Sequence, residues 1–147
     1  MKKLLSILTA LVATTAFTFA ANGGWDDDYS KALTAAKADK KLVLLDFTGS
    51  DWCGWCMKLD KEVFSKADFK AFAKDNLELV TVDFPNSKKL PHKVVKQNDE
   101  LKKTFKPNGF PTLVLVDADG KEVHRIGGYS PEALEILKKA VDANKPK

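Results

Sequence analysis

Leu42–Met57 reads LVLLDFTGSDWCGWCM, and the interpretation of the whole chain turns on it. The apolar run through Phe47 has the length of a strand and ends in turn residues, so it is predicted as a buried strand rather than a helix. The turn Thr48-Gly49-Ser50-Asp51 then delivers Cys53 to the first turn of a helix continuing through Met57, Leu59 and Val63. Free N–H groups at a helix start favour a thiolate and can lower a cysteine pKa from about 8.5 to roughly 3.5–7.5. Cys53 is therefore the candidate nucleophile, expected to be ionised and reachable at neutral pH. Cys56 lies one turn later on the same face and can close a disulfide back onto it.

The chain has 147 residues, enough for one domain with a real core and no need of disulfide staples. Its only two cysteines thus call for another reason. Residues 1–21 are set aside as a secretory signal peptide: Lys2-Lys3, an apolar run from Leu4 to Phe19, and a small-residue exit at Ala20-Ala21. An uncleaved anchor is the rival, but the run is short and threonine-rich for a spanning helix. Residues 22–147 form the predicted domain, whose charge is two units below the +4 of the full chain. Lysines scattered among acids do not make the clustered stripe a nucleic-acid surface needs. Export places the protein in a Gram-negative periplasm, where disulfide chemistry is ordinary.

Trp25, Tyr29, Ala32, Leu33 and Ala36 recur at helical spacing and predict a first helix over 25–40. The cysteine helix runs to about Phe64, and Ser65 with Asp68 resembles a capping box for the next one. Leu77–Asp83 alternates as a strand, so strand, helix and strand make a right-handed βαβ unit with parallel strands. Residues 84–97, with Pro85, Pro91 and several lysines, are predicted as a surface loop with at most a short helix near Val94. Asn98 then caps a short helix bearing Leu101 and Phe105. Thr112–Val116 and Lys121–Ile126, joined by Asp117-Ala118-Asp119-Gly120, must form an antiparallel hairpin. Ser130, Pro131 and Glu132 open a last helix whose buried stripe is Leu134, Leu137, Ala140 and Val141. The predicted architecture is α/β: a central mixed four-stranded sheet with helices on both faces.

The segments LLDFTGSDWCGWC, LVTVD, FKPNGFPT, LVLVDADGKEV and GGYSPEAL, covering nearly all of the predicted domain, resemble the thioredoxin family, nearest to its exported members with a WCGWC motif. The resemblance implies a thioredoxin-like fold and thiol-disulfide exchange with protein thiols and disulfides. It implies no bound cofactor, and a membrane redox partner is compatible with it. It casts Cys53 as the attacking and Cys56 as the resolving cysteine, Asp46 as the buried acid behind them, and Pro111 as a cis-proline facing them. Backbone groups of Phe110 would then pair with an extended substrate, between apolar rims supplied by Trp52 and Trp55.

Five residues rather than the family's four separate Asp46 from Trp52, so Asp46 either faces the core or looks out from the strand. Trp55 is either a substrate platform or packing. The dipeptide Gly54-Trp55 lacks the histidine that stabilises a neighbouring thiolate in oxidising relatives, which points to a reductant-like poise. An alternative from another class is a thioredoxin-fold binding module, a chaperone or copper carrier without turnover. Zinc would need two further ligands at suitable spacing, and none are present; Met57 stands where a c-type haem motif needs histidine. No segment for dimerisation is visible, so a monomer is expected.

Overall fold

The computed structural model describes residues 24–145; the signal segment assigned to residues 1–21 lies outside them. The elements, in chain order, are β1 (Trp25–Asp26), α1 (Tyr29–Asp39), β2 (Leu42–Thr48), α2 (Gly54–Leu59), α3 (Ala67–Asn76), β3 (Leu77–Asp83), α4 (His92–Phe105), β4 (Thr112–Val116), β5 (Glu122–Gly127) and α5 (Ala133–Asn144). A π-helical turn, Asp60–Phe64, extends α2 towards α3.

The sheet order is β1-β3-β2-β4-β5, with β2 parallel to β3 and antiparallel to β4. All seven residues of β2 are buried, Asp46 and Thr48 included, as in a central strand covered on both sides. Side-chain alternation sends Leu42 and Leu44 to one core and Val43, Leu45 and Phe47 to the other. The first core is closed by Leu59, Val63, Phe69, Ala73 and Leu137, from the face carrying α2, α3 and α5. The second is closed by Ala32, Ala36, Leu101 and Phe105, from α1 and α4.

Several expectations need correction. The sheet has five strands, because Trp25–Asp26 pairs with Leu79 and Val80 instead of opening the first helix. That helix starts at Tyr29, with the Asp28 side chain accepting from Lys31 N–H at 3.0 Å. Ser65 does not cap α3; Lys66 holds that position with no side-chain cap, since the chain arrives directly from the π turn. α4 begins at His92 behind Pro91, so Asn98 is no cap. Asn98 is buried inside the helix and donates to the Asp83 carbonyl at 2.9 Å. α5 begins at Ala133, and Leu134 is only partly buried.

Candidate active site

Gly49 is the pivot between β2 and the cysteines. Its carbonyl accepts from Cys53 N–H at 2.9 Å and from Trp52 N–H at 3.3 Å, turning the chain into α2. A Cβ at Gly49 would stand 2.6 Å from Cζ2 of Trp52, so only glycine lets the indole lie over the turn. Cys53 is the N-cap of α2 and is bonded to Cys56 in a disulfide with a Cα–Cα distance of 5.3 Å. The Cys56 N–H donates to Cys53 Sγ at 3.3 Å. That contact is the local arrangement by which a helix start favours negative charge on sulfur. The bridge is more covered than expected, Cys53 and Cys56 being 6% and 5% exposed. Trp52 and Trp55, the residues preceding each cysteine, are 46% and 59% exposed.

Each indole is anchored. Trp52 donates Nε1–H to the Phe84 carbonyl at 2.8 Å, and its ring lies 5.9 Å from that of Phe110. Trp55 lies 5.4 Å from the Tyr129 ring, with Lys58 Nζ 5.3 Å and 4.7 Å from the two ring centres. The Tyr129 hydroxyl in turn bonds the Glu62 carboxylate. Pro111 follows Phe110 through a cis peptide bond, and its carbonyl accepts from Gly128 N–H at 2.8 Å.

Asp46 pairs in register with Thr81 of β3 and Leu113 of β4, which puts its side chain on the face that carries α2. The extra residue is absorbed in the turn and does not shift the strand. A cavity of about 220 Å³ behind the bridge is lined by Asp46, Thr48, Cys56 and Asp60 among others. Asp46 is 9% exposed, and its buried Oδ1 has no hydrogen-bond partner. Burial pushes its pKa up to about 7, with help from the negative charges of Asp60 and Asp83. Asp60, exposed at the mouth of this cavity, was not singled out from sequence. Its signal was available: it follows Cys56 by four residues and so falls on the same helical face.

A mixed sheet with a cysteine bridge capping a helix start, a cis-proline and a buried acid on the central strand define a thioredoxin-type protein. The chain belongs to the thioredoxin-like domain family, whose model matches residues 29–143. It is 44% identical over 108 residues to the disulfide bond reductase DsbH of Chlamydia pneumoniae, covering 74% of this chain and 64% of that protein. It is 32% identical over 99 residues to the thiol:disulfide interchange protein DsbD 2 of Pseudomonas aeruginosa, covering 65% of this chain and 15% of the relative. The chain thus matches less than two thirds of the length of these relatives. A solved DsbH oxidoreductase structure superimposes with a TM-score of 0.75 at 38% identity, covering 90% of this chain and 94% of that one. A thioredoxin from Thermus thermophilus shares the fold with a TM-score of 0.61 at 24% identity.

Proposed function

We propose that the protein is a thiol-disulfide oxidoreductase acting on protein disulfides, with Cys53 as nucleophile and Cys56 as resolving thiol. The observation that carries this is the Cys53–Cys56 bridge at the start of α2, with Cys56 N–H aimed at Cys53 Sγ. In the reductive direction, Cys53 thiolate attacks one sulfur of a substrate disulfide, forms a mixed disulfide and expels a substrate thiolate. Cys56, losing its proton, then attacks Cys53 Sγ and expels the second thiol. Substrate gains two electrons and the protein closes its own bridge. Asp46 is the proposed acceptor of the Cys56 proton, since both line one cavity and the acid titrates near neutral pH. Asp60, at the mouth of that cavity, is the proposed step between Asp46 and solvent.

A reductant-like poise is supported by tryptophan between the cysteines and by the likeness to a disulfide bond reductase of Chlamydia pneumoniae. Residues Lys2–Ala21 support export to the periplasm, where the partners would be protein thiols and a membrane-bound electron donor. A fusion of residues 1–30 to a reporter active only outside the cytoplasm tests export; a silent fusion would refute it.

Cys53→Ser should abolish reduction of a disulfide-bonded test protein such as insulin. Cys56→Ser should instead accumulate mixed disulfides, visible on non-reducing gels. If Cys56→Ser accumulates none while Cys53→Ser stays active, the assigned roles are wrong.

A further inference from the structure

The segment 84–91 between β3 and α4 is held down as a strap on one side of the bridge. Asp51 accepts three backbone N–H groups from it, those of Asn86 at 2.8 Å, Ser87 at 2.7 Å and Lys88 at 3.1 Å. Trp52 fixes its first residue through the Phe84 carbonyl. Beneath the strap runs a groove of about 740 Å³, a size that accepts several side chains. Trp52, Phe84, Pro85, Leu90, Val95 and Phe110 supply its apolar lining, and the Phe84 and Phe110 rings stack 5.4 Å apart. Trp52 and Val95 are well exposed, so this apolar surface is open to a partner.

The charges along the groove are uneven. Lys88, Lys89 and Lys102 line it, and none of them makes an ion pair among the described residues. Lys102 Nζ instead sits 5.0 Å above the Phe84 ring and 5.8 Å from that of Phe110. Of the two acids present, Asp83 has both carboxylate oxygens engaged by Ser50, at 2.9 and 2.5 Å. Asp99 is left as the groove's one opposing carboxylate. Two of the groove's lining residues, Trp52 and Phe110, immediately precede Cys53 and Pro111, so a chain seated in it lies beside the bridge.

We propose that this groove binds an extended acidic segment of a partner protein, with an apolar side chain against Trp52 and Phe110 and carboxylates against Lys88, Lys89 and Lys102. The assignment rests on the exchange activity proposed above only in that the partner's cysteine follows the acidic segment. Because the strap is already tied down, little ordering is required on binding. Charge complementarity of this kind sets partner choice and encounter rate more than raw affinity.

The test uses the full chain and two peptides with serine in place of the reactive cysteine, so that no covalent step intervenes. One carries Phe flanked by Asp and Glu, and its twin has Asn and Gln there. Affinities are read by titration calorimetry at low and high salt. The acidic peptide should bind about tenfold tighter than its twin at low salt, and the preference should shrink as salt screens it. Replacing Lys88, Lys89 and Lys102 together by Gln should bring the two peptides within about twofold. A control with Lys70→Gln and Lys74→Gln, exposed on α3, should keep the preference. Equal binding of the twins by the unmodified protein, or a preference that survives the triple replacement, would overturn the proposal. So would peptide affinity that falls as protein concentration rises, which would assign the groove to a second copy, or binding seen only after deletion of residues 1–23. Failure of insulin reduction with the peptide preference intact would sink the exchange activity instead.

Discussion

A carboxyl group walled into the first core with one oxygen unpartnered is the least comfortable feature of the molecule, and it fixes a pH dependence. Asp46 titrates near 7 in the folded protein and near 3.8 when unfolded, so between those values the folded state holds the extra proton. Its contribution to stability is therefore fully present below about pH 4 and lost as pH rises through about 7, by on the order of 4 kcal/mol. Urea unfolding of the oxidised protein across that range should show the decline, and Asp46→Asn should flatten it. Asp60→Asn removes one of the two neighbouring charges, so the remaining decline should move to lower pH. An unchanged profile in Asp46→Asn would mean that another group is responsible. Asp46 was legible as a candidate through the resemblance to the thioredoxin family, but its inward orientation was not. That depended on whether the added residue in Thr48–Asp51 displaced the strand register.

Among the elements, those with strong local chemistry were legible. β2 announced itself by an apolar run of strand length, the β4–β5 hairpin by a four-residue turn, and the start of α2 by the glycine turn and cysteine spacing. β1 was invisible because two residues carry no alternation, and Trp25 fitted a helical stripe equally well. α4 was hidden for a different reason. Its buried stripe is Asn98, Leu101 and Phe105, with a polar residue where an apolar one would have marked the period, and it starts behind a proline with no polar cap. Asn98 holds its place by bonding the last carbonyl of β3, joining α4 to the strand that leads into the strap. Asn98→Ala should cost about 1–3 kcal/mol by leaving that carbonyl unpaired. The same replacement should loosen the strap, seen as faster amide exchange at Asn86–Lys88. Normal protection there would show that Asp51 and Trp52 secure the segment without Asn98. Asp51's contacts with the strap, and those of Tyr129 with Trp55 and Lys58, could not be found from sequence because the partners are 35 or more residues apart.

At the scale of the whole molecule, one sheet divides two cores, and β2 contributes to both, so neither half can open without exposing the central strand. Helices cover the faces, leaving the sheet margins as the places where copies could join. The monomer expected from the sequence should give one sedimenting species of about 16 kDa for the full chain at every concentration tested. A concentration-dependent shift would point to the lysine-lined groove or to a margin as a contact.

The margins themselves are unequal. On one side β1 caps β3 for only two residues. On the other, β5 carries Glu122, His124 and Arg125, and its pairing with β4 is broken by an irregularity at Leu115/Val116. The Arg125 guanidinium donates to the Phe105 carbonyl at 2.6 Å as well as to Glu122, holding a charge across that border. A border so bent and charged is a poor template for strand-by-strand growth. Molecules packed densely would then resist fibril seeding even when partly loosened.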